Sequence, residues 1–392
     1  MRILFITGEF PPDGGGVGDY TARLAASLAA LGFGVGVLTR SGPAAGVAGV
    51  GVFPLAETWS SRAWGLALRA AREFGPDLVH LQYQAAAFGL APGAMFLPAV
   101  LGRLGGYRVA VTFHDLRPPY LFPKAGPLRR LAVGMLYLTS VGAVATNGAD
   151  LVRLQRVRFP GVRPPLAFIP IGSNILPVPA GPTEVETLRR EAGAGPGERL
   201  IGHFGLLNWS KGVELALAAC RQLLDRGYRV RLVVIGGAVG RTDPTNLKYA
   251  EFIRQEVGRL GLGDRVFWTG PLPADRVSRW LQAVDLLLLP YLDGASLRRG
   301  SLVAALVHGR PVVTTRPPDP LALRPLAAGE HLLTASARAE ALAEAVRKVL
   351  DDPGLAARLG EAGRRLADFF GWDAIARRHE DFYRVCLGRG PW

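Results

Sequence analysis

The sequence predicts an α/β protein built from two parallel-sheet domains. Three observations carry that expectation. Short apolar runs ending at glycine or at a polar loop alternate with helical stretches along the whole chain, the pattern of strand–helix–strand units. These runs are apolar throughout rather than alternating, which suits central parallel strands covered by helices on both faces. With 392 residues, 49% of them hydrophobic, the chain is long for a single core and has material for two.

Arg2–Thr7 reads as a buried strand that runs into Gly8-Glu9-Phe10-Pro11-Pro12-Asp13-Gly14-Gly15-Gly16. Consecutive glycines let a ligand approach the main chain, and a helix follows with Val17, Tyr20, Leu24, Leu28 and Leu31 on one face. The G-x-G-x-x-G spacing of dinucleotide folds is missing, so a flexible turn is an equal reading of this loop. Next come a strand at Val35–Leu38 and a Gly/Ala/Pro-rich surface connection over 41–51. A helix at Ser60–Phe74 stops at Gly75-Pro76, a strand spans Asp77–Gln82, and Gln84–Leu104 reads as mostly helix. Arg108–Phe113 is a strand leading into His114-Asp115, where a histidine beside an acid suits either a general base or a structural hydrogen bond. Val141–Thr146 and Leu166–Ile169 read as strands flanking a helix at Gly148–Arg158. A cluster of prolines from Pro160 to Pro182 places the domain boundary near Pro177.

The second domain opens with a helix at Glu184–Ala192 and then a strand ending at Gly205. A loop with Asn208, Ser210 and Lys211 precedes a helix whose apolar stripe is Val213, Ala216, Leu217, Cys220, Leu223 and Leu224. Ser210 is placed to cap that helix, Gly227 to end it, and Arg229–Ile235 to return as a strand. A cation on a loop at the carboxyl end of a parallel strand, before a helix start, suits a phosphate-bearing ligand. A solvated loop lysine is the plain alternative. Helices at Asp243–Leu260 and Ala274–Ala283 and strands at Val266–Trp268, Asp285–Leu289 and Pro311–Thr315 follow. The loop 293–301, with Ser296, Arg298, Arg299 and Ser301, again precedes a helix, Leu302–His308, and reads as a second anion cradle. Residues 319–330 read as loop, and Ala337–Leu350, Pro353–Phe370 and Asp373–Leu387 as helices.

Composition excludes several classes. The two cysteines, Cys220 and Cys386, lie on apolar helical stripes, and the six histidines are scattered, which argues against a disulfide framework and against a dedicated metal site. The chain enters a strand at once, so no signal peptide is expected, and its two charge-free stretches are broken by Pro or Gly. The net charge is +14, and between Leu101 and Arg163 ten Lys/Arg face two acids. That local excess, with Tyr120, Phe122 and Lys124 interleaved, suits an anionic membrane surface or a phosphorylated substrate, or an ordinary solvated face. No basic–aromatic module points to nucleic acid.

The motifs Phe10-Pro11-Pro12 with Gly14-Gly15-Gly16, Pro76-Asp77-Leu78-Val79-His80, Thr112-Phe113-His114-Asp115 and Ile169-Pro170-Ile171-Gly172 stand in that order in the first half. Gly205 through Lys211-Gly212, Val234-Ile235-Gly236-Gly237, Thr269-Gly270-Pro271 and Gly309-Arg310-Pro311-Val312-Val313 follow in the second. Together they resemble the retaining glycosyltransferases of family 4, with the GT-B fold. That resemblance implies two Rossmann-like domains facing a cleft: an acceptor domain, 1–176, and a nucleotide-sugar domain, 177–370. Residues 371–392 would form a helix packing back on the first domain. It implies a nucleotide-sugar donor, retained anomeric configuration and no obligatory metal or cofactor; the basic segment 101–163 adds the expectation of a cell-envelope glycan or lipid-linked acceptor. The enzyme would sit in the cytoplasm, at the inner face of the membrane.

Among individual residues, the resemblance implies a diphosphate on Lys211 and on the loop Gly14, Gly15 and Gly16. Gly205, Asn208, Ser296, Arg298, Arg299 and Ser301 would line the donor site, Leu272 the base pocket, and His114 the reacting sugar. Two departures stand out. The family's arginine five positions before the lysine is Leu206 here, and its Glu-x7-Glu pair is Ser296 and Ala304. Arg298 or Arg299 is expected to replace the missing arginine. A binder that has lost turnover and a nucleotide-sugar epimerase are the alternative functions on the same frame.

Overall fold

The computed structural model describes residues 1–12, 15–40, 46–55, 59–116, 133–157, 160–236 and 244–390. They form two compact units. One comprises Met1–Gly172 with Gly371–Trp392, the other Ser173–Phe370.

The first unit holds β1 (Arg2–Thr7), β2 (Gly34–Arg40), β3 (Val50–Leu55), β4 (Leu78–Tyr83), β5 (Val109–Phe113), β6 (Gly142–Ala145) and β7 (Leu166–Phe168). All pair in parallel, in the order β3-β2-β1-β4-β5-β6-β7. The order reverses between β1 and β4, where two neighbouring strands send their following loops to opposite faces and open a crevice. One face of the sheet is covered by the helix Gly16–Ala30 and by the chain's last described helix, Trp372–Cys386. That last helix buries Trp372, Ile375, Phe382 and Tyr383 against Tyr20, Leu24 and Leu28. Its seat is cut by small residues: a side chain at Gly142 would meet Cys386 and Phe382, and one at Gly172 would meet the Trp372 ring.

The second unit holds β8 (Arg199–Gly205), β9 (Val230–Gly236), β10 (Val266–Trp268), β11 (Leu286–Leu289), β12 (Val312–Thr315) and β13 (Leu333–Ala335). These strands too are parallel, in the order β10-β9-β8-β11-β12-β13, so the reversal falls between β8 and β11. The helix Val213–Asp225 packs on the sheet beside Ala339–Asp351, and the apolar stripe read from the sequence is the one that is buried.

Four elements differ from the sequence reading. Val50–Leu55 is a strand, not the end of a connection; as an edge strand it tolerates Pro54, which would break a central ladder. Gln84–Leu104 is helical only at Leu97–Arg103, after a short 3₁₀ turn at Pro92–Phe96. Gly89 and Leu90 both take positive φ there, which ends any helix. The short edge strand Leu333–Ala335 carries too few residues to show a periodicity. The helix from Pro353 ends at Arg365 rather than at Phe370. Residues 117–132, with Arg117, Lys124, Arg129 and Arg130 of the basic segment, lie outside the described residues, as does Gly14. Among the described residues no helix is long and apolar enough to cross a membrane.

Candidate functional site

The loops after β8 and β11 meet where the second sheet reverses its order. Gly212 makes the meeting possible. It stands at φ +64°, and any side chain there would overlap the Pro290 carbonyl at the end of β11. The Leu292 N–H donates to the Ser210 carbonyl at 3.2 Å, which ties the two loops together. Ala295 N–H donates to Thr315 O at 3.1 Å, anchoring the second loop to β12.

Tyr291 is the floor of the cluster that results. Its ring carries the Lys211 ammonium at 5.2 Å from the centroid and the Arg299 guanidinium at 4.9 Å. Lys211 Nζ donates to Ser301 Oγ at 3.1 Å, and Ser301 Oγ lies 2.7 Å from the Tyr291 hydroxyl. Arg299 pairs with Asp293 and donates to Ser210 Oγ at 3.1 Å; Ser210 in turn donates to Asn208 Oδ1 at 2.7 Å. Lys211 folds over Gly205, at φ +146°, where a Cβ would lie 3.3 Å from the ammonium. Among the described residues no carboxylate pairs with Lys211. Burial, reinforced by the neighbouring Arg299 charge, lowers its pKa to about 7. Beneath it His203 is buried and held neutral, its pKa lowered to about 4 by burial and by Lys211.

So Gly205, Asn208, Lys211, Arg299 and Ser301 share one site. Arg298 instead folds back on its own loop, its Nε 3.3 Å from the buried Ser296 Oγ. Leu272 follows β10, two strands away from β8. Ser210 does not cap the helix Val213–Asp225: the Val213 N–H donates to the Tyr249 hydroxyl at 2.9 Å, and Tyr249 donates to Glu214. The αL turn at Gly212 starts the helix too late for Ser210 to reach it. Tyr291 and Asp293 were missed because an aromatic after an apolar strand reads as core, and one acid in a basic loop as solvated.

The first unit has its own cluster at the carboxyl ends of β4 and β5. His114 is buried, its Nε2 2.9 Å from Gln82 Oε1 and its ring edge-on to Tyr20 at 4.7 Å. Burial, then the nearby His379, lowers its pKa to about 3, so the ring is neutral at physiological pH. Such a ring can accept or relay a proton through a hydrogen bond but carries no charge. At the start of the helix Gly16–Ala30, Val17 N–H donates to Glu9 Oε1 at 3.2 Å, and Gly15 leaves room for that carboxylate. Gly16 stands open, with nothing near the place of a side chain.

Residues 184–366 match the model of a family described as Glycosyl transferases group 1, and residues 15–172 match that of a Glycosyl transferase 4-like domain. Between them these two glycosyltransferase models span most of the chain, and the chain is a glycosyltransferase. This glycosyltransferase is 29% identical, over 86% of its length and 85% of the relative's, to a 2-deoxystreptamine glucosyltransferase of Streptomyces kanamyceticus. It is 30% identical to a D-inositol 3-phosphate glycosyltransferase of Streptomyces griseus, but there the match covers 56% of the chain and 46% of the relative. Among solved structures, the sucrose-phosphate synthase of Thermosynechococcus elongatus superposes with a TM-score of 0.75, 20% identity and full coverage of both chains. Anabaena Alr3699/HepE in complex with UDP-glucose gives 0.75 at 19% identity, covering 98% of this chain and 100% of that one. These likenesses establish the GT-B fold of the glycosyltransferase.

Proposed function

We propose that the enzyme moves a sugar from a nucleoside-diphosphate sugar to a hydroxyl of a glycan or lipid-linked acceptor, with retention at the anomeric carbon. One observation carries this reading: Lys211 and Arg299 lie on a single tyrosine ring at the sheet reversal of the second unit, and the lysine lacks a carboxylate partner. A lysine without a carboxylate partner, beside an arginine paired with Asp293, suits a diphosphate, and a charge held there also stabilises the diphosphate as it leaves. Arg299, not Arg298, takes the place of the family arginine that is Leu206 here. The proposed reading assigns the diphosphate charge to these side chains and to the start of the helix Gly300–Val307. His114 is assigned to the sugar end of the reaction.

A second reading has its own support. Ser296 and Ala304, each 1% exposed, stand where the resemblance expects the two carboxylates that grip the donor, which favours a binder without turnover. One experiment separates these readings. The protein is incubated with UDP-, GDP-, ADP- and dTDP-sugars, with and without 2-deoxystreptamine, D-inositol 3-phosphate or lipid-linked sugars. Release of nucleoside diphosphate that depends on an acceptor, and an α-linked product from an α-linked donor, is the expected result. Thermal stabilisation without release favours the binder, and conversion of the sugar without an acceptor favours the epimerase.

A further inference from the structure

The two loops that build the cationic cluster of the second unit carry one acid between them. Over 205–212 and 290–301 the sequence has Lys211, Arg298 and Arg299 but only Asp293 to set against them. The Asp293 carboxylate pairs with the Arg299 guanidinium, and a quarter of its side chain stays exposed. Its charge also acts on Lys211 and on Tyr291, so it belongs to the same cluster.

The backbone holds this carboxylate in place. Gly294 N–H donates to Tyr291 O at 3.0 Å, closing a tight turn over Leu292 and Asp293, and the Thr315 hydroxyl donates to the same carbonyl. Gly294 stands at φ +83°, and a side chain there would overlap Pro317 and the Arg316 carbonyl. The turn is therefore pinned between β11 and the segment after β12.

An anion fixed beside the cations of an anion site weakens that site unless it gives way to the ligand or touches another part of it. A partly solvated ion pair is weak, and a diphosphate that bridges Lys211 and Arg299 outcompetes it. In a nucleoside-diphosphate sugar the anomeric carbon is bonded to a phosphate oxygen, so the sugar's hydroxyls lie next to the phosphate. A carboxylate only accepts hydrogen bonds, and hydroxyls supply the donors it needs. Ser296 and Ala304, where the resemblance expects carboxylates, are buried and uncharged and cannot serve in this way.

We propose that Asp293 is an exchangeable counter-ion: it holds Arg299 in the free enzyme, yields it to the arriving diphosphate, and then accepts a hydroxyl of the sugar that the diphosphate carries. This rests on the donor reading above and makes Asp293 the residue that favours a sugar-bearing nucleotide over a bare one.

The test uses Asp293→Asn and Asp293→Ser in the full chain. Both replacements are small and polar at a partly exposed position, melting curves check that each folds, and either one alone decides the matter. Calorimetry measures inorganic pyrophosphate, then UDP, GDP, ADP and dTDP beside UDP-glucose, GDP-mannose, ADP-glucose and dTDP-glucose. With the competing charge gone, pyrophosphate should bind about two- to fivefold more tightly. The ratio of nucleotide-sugar to nucleotide affinity should fall by about tenfold or more. Pyrophosphate affinity that drops or stays the same would overturn the exchange, since Asp293 would then only support Arg299. An unchanged ratio would overturn the sugar contact. If the wild-type protein binds none of these probes, the donor reading falls and takes this proposal with it. Binding of nucleotides with unaltered ratios sinks the proposal alone.

Discussion

Lys211→Met is expected to lose donor binding and to raise thermal stability at the same time. The ammonium is partly buried over Tyr291, beside the Ser301 hydroxyl and the Arg299 guanidinium, with no carboxylate partner among the described residues. The fold holds that charge at a cost, which the depression of its pKa to about 7 reports. Replacing a buried charge by a hydrophobe of similar length often stabilises by roughly 1–4 kcal/mol. Removing a charge-assisted contact to a diphosphate costs on the order of 1.5–3 kcal/mol, about ten- to a hundredfold in dissociation constant. Titration calorimetry and a melting curve on the same sample read both. The pH dependence has a definite sign. The folded pKa lies below that of an unfolded lysine, so the free site is charged below about pH 7 and turns neutral above it. A bound diphosphate restores the charge by taking up a proton. Wild-type affinity therefore falls as pH rises above 7, by up to about tenfold per unit, and the slope disappears in Lys211→Met. Affinity that is flat with pH and unaltered by the substitution would remove Lys211 from the site.

Gly212→Ala is the second large effect. The backbone there is left-handed, which costs a side-chain-bearing residue roughly 1–2 kcal/mol, and the new methyl group would meet Pro290 O. Pro290 directly follows β11 and cannot move without shifting Tyr291. Overpacking of this kind adds about 1–3 kcal/mol. Gly227→Ala is the matched control: φ is +85° there, but nothing lies within 4 Å of the added carbon. Gly212→Ala should therefore melt well below Gly227→Ala and also bind donor poorly, because the contact it breaks joins the two cationic loops. Equal melting temperatures for the two variants would show that the close approach of these loops is dispensable.

Both sheets could be read from the sequence because parallel strands buried on two faces appear as unbroken apolar runs. Leu286–Leu289 is the plainest case. The edges were less readable. Val50–Leu55 carries Gly51 and Pro54, and Leu333–Ala335 has too few residues to show a pattern. In the candidate site the sequence marked two basic loops but could not join them. That β8 neighbours β11 is a property of the sheet order, not of either loop. Nor does spacing separate Arg298 from Arg299. Their side chains diverge because Arg299 immediately precedes the helix Gly300–Val307, while Arg298 is drawn to Ser296.

The most direct measurement is a crystal structure of the protein with a nucleoside diphosphate bound. The account predicts the diphosphate within hydrogen-bond distance of both Lys211 Nζ and the Arg299 guanidinium, above the Tyr291 ring. A diphosphate bound elsewhere, with Lys211 still on Ser301 and Arg299 still on Asp293, would contradict it.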